Sequence, residues 1–298
     1  MDILLVGTYT QHDAPAVLEK QELGKGIYLI PYNETLGGVA GTPFIIQMQN
    51  PSWVCLVKNR LFAVSESEDA AEIVEYEVGV QEERLTAEKK AGLQMPGKAS
   101  CHIEKDEKGQ RLFVSDYGSG DLKVIDISEV GSPKLLQEIS FTGKGLDPER
   151  QEASHIHSCF LHRGDLYAAD LGCDKIYSFD TDKGKLLQKE TIDVRPGAGP
   201  RHMEILEKNG KTYLYVLNEL DITISVYCNG NLCQTISLEE NLPEGVLAAE
   251  LCIAEGKMLY ASVRGTGEIF GFTIEENGML SLKQKVVVPV SKYLSGQQ

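Results

Sequence analysis

Arg201 and His202 stand side by side directly after the corner Gly197 to Pro200, in the stretch GAGPRH, although the chain of 298 residues carries a formal net charge of −15. A guanidinium is a planar fork of N–H donors that matches a carboxylate or a phosphate. A second arginine, Arg264 in ASVRGTG, is followed by Gly265, where the backbone can turn or a ligand can come close. Glu219, in LNELD, is the best-placed carboxylate for a general base, because Arg264 occupies the same place in the next repeat and can hold it ionised. A carboxylate or imidazole beside a bound ester can activate water while arginine and histidine stabilise the oxyanion that develops.

Imidazoles recur as well. His102 in KASCHIEK, His155 and His157 in ASHIHSCF, and His202 in GPRHMEIL fall at matching places in successive repeats. Taken singly, such a histidine reads as a hydrogen-bonded strand residue and such an arginine as a solvated strand end. Their recurrence points to a site instead. Three histidines in register could also ligate zinc or iron, but two arginines intrude and the nearby acids form no compact ligand set. Neither a metal nor another cofactor is expected.

The elements that must carry these residues are short strands in a repeating pattern. LLVGTY from Leu4, LFAVSE from Leu61, LFVSDY from Leu112, LYAADL from Leu166, LYVLNE from Leu214 and LYASVR from Leu259 recur about every fifty residues, a period of propellers. Glu66, Tyr117, Glu219 and Arg264 close four of these runs. Upstream of the later runs lies another strand candidate, as in NPSWVCLV and VLAAELCI, and downstream come a third, such as DLKVIDI, and a fourth, such as KLLQEISF. Four short strands per unit, bounded by turn residues and free of long helical periodicity, predict an all-β propeller of four-stranded blades over a single domain, residues 1–298. Thr142 to Ser154 (TGKGLDPERQEAS) lacks alternation and reads as a long loop. The chain enters the first blade at its second strand. PVSKYL near the end then either closes a six-bladed ring or begins a seventh blade that is mostly missing.

Composition narrows the partners. The acidic balance without a Lys/Arg-rich run disfavours nucleic acid and anionic membranes. MDILLVGTYT has no basic leader and too short an apolar run for a signal peptide, so a cytoplasmic protein, monomeric or weakly dimeric, is expected. Seven scattered cysteines without a CxxC pair argue against a disulfide framework or structural zinc. There is no GxSxG, Walker loop, HExxH or dinucleotide fingerprint, which disfavours the chemistries those motifs serve.

The ordered set VGTYT, NPSW, LFAVSE, SDYGSG, RQEASHIHS, ADLGCDKI, GAGPRH, LNEL and LYASVRG resembles the lactonase family of seven-bladed β-propellers, from the first residues to about Ile274. Its members include 6-phosphogluconolactonases and a fungal carboxymuconate lactonising enzyme. The resemblance implies that His155, His157, Arg201, Glu219 and Arg264 are catalytic on a small anionic lactone; His102, Arg150, His202 and Glu66 are read beside them as substrate-binding residues. It implies hydrolysis of a phosphorylated sugar lactone, a step of the pentose phosphate pathway. A muconate-type cycloisomerase and a non-enzymatic binding platform are the alternatives. Val263 stands where the family has asparagine and Ser154 where it has proline, and the signatures of the family's last blade do not appear after Val290.

Overall fold

The computed structural model describes residues 2–11, 23–82, 84–181, 184–238 and 245–288. They form two compact units, one within Met1–Ile139 and one within Ser140–Ser295. All regular structure among the described residues is β, in six four-stranded antiparallel sheets, as expected for propeller blades.

The first unit holds three sheets. In the first, β1 (Asp2–Val6) pairs with β2 (Ile27–Asn33), and both β3 (Gly38–Val39) and β4 (Phe44–Ile46) pair with the far side of β2. β1 carries the run that forms the second strand in the other sheets. The second sheet is a meander of β5 (Trp53–Val57), β6 (Arg60–Glu66), β7 (Ala71–Gln81) and β8 (Arg84–Met95). The third follows the same order in β9 (Ser100–Lys105), β10 (Arg111–Asp116), β11 (Asp121–Asp126) and β12 (Lys134–Ser140).

The second unit repeats this plan. Its sheets are β13 (Ile156–His162), β14 (Asp165–Asp170), β15 (Lys175–Asp180) and β16 (Leu187–Asp193); β17 (Pro200–Lys208), β18 (Lys211–Asn218), β19 (Thr223–Cys228) and β20 (Asn231–Ser237); and β21 (Leu247–Ala254), β22 (Met258–Arg264), β23 (Glu268–Ile274) and β24 (Leu280–Val287). The stretch from Thr142 to Ser154 contains no strand, as its lack of alternation suggested. PVSKYL lies outside the described residues.

The apolar runs are continuous because the middle strands are covered on both faces. In β6, Leu61 and Ala63 join Ile27 and Leu29 of the first sheet in one core cluster. Phe62 and Val64, pointing the other way as strand alternation demands, join Ile103, Leu112 and Val114 of the third. The second unit does the same: Leu214 and Val216 pack towards the fourth sheet, and Tyr213, Tyr215 and Leu217 towards the sixth. Each of the buried Val, Leu, Ile and Phe side chains contributes roughly 1.5–3 kcal/mol by leaving water.

Candidate active site

Glu219 follows the last residue of β18 and is buried, with 1% of its side chain exposed. Its amide donates to the Gly199 carbonyl at 2.7 Å, and its own carbonyl accepts the Ala248 amide at 3.2 Å, so the backbone is pinned on both sides. Three guanidinium groups converge on its carboxylate. Arg150 Nη2 donates to Oε1 at 2.6 Å, Arg264 Nη2 approaches the same oxygen at 3.0 Å, and Arg201 Nε donates to Oε2 at 2.6 Å. Arg201 is itself 1% exposed; its Nη1 donates to the Ala249 carbonyl, and its Nη2 has no acceptor among the described residues. A buried charged donor left unmet costs about 1–3 kcal/mol or more. That nitrogen therefore favours an oxygen ligand.

Each arginine is delivered by a different local device. Arg201 is the extra residue of a β-bulge, since Pro200 pairs with Asn218 and His202 with Leu217. A bulge bends the strand and re-aims the side chain it leaves unpaired. The corner before it is shaped by Asp174, whose carboxylate accepts the amides of Gly197 at 2.7 Å and Gly199 at 2.8 Å. Gly199 has φ +65°, and a Cβ there would lie 2.6 Å from Leu220 Cγ, so glycine is required. Arg150 is set by an Asx turn in which Asp147 Oδ1 accepts the amides of Glu149 and Arg150 at 2.9 and 3.0 Å. Gln151 ties that loop to the corner: its Oε1 accepts the Leu146 amide and its Nε2 donates to Asp174. Arg264 ends β22, where its side chain is 16% exposed.

The electrostatics follow from this crowding. Burial alone would raise the Glu219 carboxyl, but Arg264, Arg201 and Arg150 together outweigh it and hold it down to about 2. Glu219 is thus always ionised at neutral pH and is a weak proton acceptor. His157 Nε2 lies 3.9 Å from Glu219 Oε2. Burial, reinforced by Arg201, His202 and Arg264, drops the His157 imidazole well below its usual value, so the ring is neutral. His202 is also lowered, by burial first, although Glu250 opposes this. Three guanidiniums against the Glu219 carboxylate leave a cationic surplus, which Glu250 offsets in part.

The histidine register differs from the sequence expectation by one place. His102 pairs with Ser115 and His202 with Leu217, and the equivalent residue of β13 is Ser158, which pairs with Ala169. His157 is instead the bulged residue, equivalent to Arg201 and to Cys101. Glu66 is offset in the same way: it pairs with Ala71 as Asp116 pairs with Asp121 and Asn218 with Thr223, so it matches Asp116 rather than Glu219. The bulges add residues that the spacing of the apolar runs does not reveal.

Arg150, His157, Arg201, Glu219 and Arg264 are therefore brought together, with His202 against His157. His155 is turned elsewhere, with Nε2 3.2 Å from Glu152 and its amide on Asp170. His102 and Glu66 belong to the first unit, where His102 packs on Trp53 at 4.2 Å between ring centroids and Glu66 accepts the Tyr9 hydroxyl at 2.9 Å. Sequence reasoning missed Glu250, whose Oε1 lies 2.8 Å from His202 Nδ1. Its position in VLAAELCI, opposite GPRHMEIL in the repeat, was the available signal. Among the described residues no three His, Cys, Asp or Glu side chains are grouped to hold a metal ion.

Comparison with known proteins agrees with this picture. A 6-phosphogluconolactonase of Formosa agariphila is 38% identical over 202 residues, 62% of this chain and 57% of that protein, so this aligned stretch spans little more than half of the relative. One from Bacillus subtilis strain 168 is 26% identical over 94% of this chain and 80% of its own length. A solved structure from Bacteroides fragilis NCTC 9343, described as a candidate 6-phosphogluconolactonase, superposes with a TM-score of 0.80 at 26% identity, covering 95% of this chain and 81% of that one. The model of the seven-bladed β-propeller lactonases matches residues 3–289, of which the described part supplies six blades, and the chain belongs to that family.

Proposed function

We propose that the protein hydrolyses a phosphorylated sugar lactone of the 6-phosphogluconolactone type. The observation that carries this reading is the convergence of Arg150, Arg201 and Arg264 on one buried carboxylate, which makes a local cationic centre in an acidic chain. The names of the relatives from Formosa agariphila and Bacillus subtilis support the same substrate.

In this reading Arg150, a third exposed, meets the substrate's anionic group at the rim. The buried Arg201 and the partly exposed Arg264 face the lactone carbonyl, where donors aimed at the developing oxyanion are worth about 10²–10³ in rate each. Water adds to the carbonyl carbon, the ring C–O bond breaks, the ring oxygen takes a proton, and the acid formed loses one to solvent. His157, neutral and beside Glu219, is suited to accept the hydrogen bond of the attacking water. Glu219 fits the general-base role poorly because its carboxyl is held at about 2. It acts as the anchor that sets three guanidinium forks. Of the two histidines in ASHIHS, His157 is therefore the functional partner, and His155 supports the loop through Glu152.

The test is hydrolysis of 6-phosphogluconolactone, corrected for the spontaneous rate, by the wild type and Arg264→Ala. A wild-type rate equal to buffer would sink the proposal. A panel including a carboxylated muconolactone separates hydrolysis from cycloisomerisation, for which the same arginines would hold carboxylates.

A further inference from the structure

Glu250, in the first strand of the sixth sheet, is fixed before it meets the site. Its amide donates to Ser262 Oγ at 3.0 Å, and its Oε1 accepts the Leu251 amide at 2.9 Å. The same oxygen lies 2.8 Å from His202 Nδ1. An ionised carboxylate only accepts hydrogen bonds, so a neutral His202 must carry its proton on Nδ1 and its lone pair on Nε2. The His202 ring in turn stands edge to face with His157, with centroids 5.2 Å apart and planes at 68°. The chain of contacts runs from Glu250 through His202 to His157 and, at 3.9 Å, to Glu219. Carboxylates that hold the far nitrogen of an imidazole fix both its tautomer and its orientation.

We propose that Glu250 is a positioning residue of the active site: by accepting the Nδ1–H of His202 it fixes that ring's tautomer and, through the ring contact, the orientation of His157 beside Glu219. The kinetic side of this inference rests on the hydrolase reading, whereas the tautomer does not. The experiment uses Glu250→Leu, which fills the space but offers Nδ1–H no acceptor, and Glu250→Asp as the conservative variant. Long-range imidazole ¹H–¹⁵N spectra should show His202 as the Nδ1–H form in the wild type and a loss of that preference, with Nε2–H populated, in Glu250→Leu. With 6-phosphogluconolactone, kcat should fall about 10–100-fold in Glu250→Leu, the range for losing the partner that holds a metal-bound imidazole, while KM stays within about twofold and Glu250→Asp recovers part of the rate. An Nε2–H tautomer in the wild type overturns the proposal, and so does a changed tautomer with unchanged kcat. If Glu250→Leu does not fold, the wild-type tautomer decides alone. A wild type that binds no lactone and shows no turnover defeats the hydrolase reading, and the spectra still decide the role of Glu250.

Discussion

Lys123 in the third sheet and Glu219 in the second unit are both buried amid opposite charge, yet the two clusters are built in opposite ways. Lys123, with no exposed side-chain surface, bonds Asp116 and has Asp121 at 3.9 Å and Glu138 at 4.0 Å. Ser100 Oγ completes the set by donating to Asp116 at 2.6 Å. All of these residues come from one sheet, β9 to β12, and the cation is outnumbered by carboxylates. Glu219 is outnumbered by cations, and its arginines come from a loop, a bulge and a strand end. A lysine enclosed by its own blade is a structural element. Several arginines assembled from separate elements around one carboxylate, with a buried N–H still unmet on Arg201, leave donor capacity that the proposed anionic substrate would use.

The difference can be broken at either centre. Glu219→Ala leaves Arg201 buried without its counter-charge. Removing one partner from a buried ion pair costs about 3–5 kcal/mol, and here the guanidinium forks also lose their anchor. Denaturant unfolding should show that loss of stability together with a fall in lactonase kcat/KM of about 10³ or more, beyond a single lost oxyanion donor. Lys123→Met should also cost about 3–5 kcal/mol by stranding Asp116, but the folded fraction should hydrolyse lactone at the wild-type rate. A loss of turnover per folded Lys123→Met molecule would show that the third-sheet cluster is more than structural.

Arg264→Lys sharpens the contrast at lower amplitude. The charge near Glu219 is kept and the planar fork is lost, so steady-state kinetics should show a drop of about tenfold in kcat/KM, roughly 1.4 kcal/mol, less than the loss of a whole oxyanion donor. Its thermal midpoint should change little, because the side chain is partly exposed.

Much of this was legible in the residue pattern, and the missing parts have physical causes. The six blades followed from turn residues and apolar runs, Arg201, Glu219 and Arg264 from their places in the repeat, and His157 from the family resemblance. The one-residue offsets of His157 and Glu66 were hidden because bulges and strand-end slips leave no mark on spacing. Lys123, in DLKVIDI, reads as an outward-facing strand lysine and is in fact enclosed by acids two and seven residues before it. Glu250 looks like an ordinary strand glutamate until the bulge of β21, between Ala248 and Leu251, is known. The part of Arg150 depends on Asp147 and Gln151 folding the loop beneath it, which composition does not encode.

The smallest expected effect separates the two centres by sign. The Glu219 carboxyl, at about 2 against an ordinary 4.5, binds its proton less tightly in the folded chain. Its stabilisation is complete above pH about 4.5 and is lost as pH falls towards 2. Asp116 behaves oppositely. Burial raises its carboxyl to about 6 from 3.8, outweighing the attraction of Lys123, so its contribution is most favourable below pH 3.8 and is lost as pH rises through 6. Denaturant midpoints measured from pH 7 to pH 3 should therefore show an Asp116 contribution that grows between pH 6 and 4, absent in Asp116→Asn, and a Glu219 contribution that shrinks below pH 4.5, absent in Glu219→Gln. Identical pH profiles for the two variants would mean that the clusters do not differ as their charge counts require.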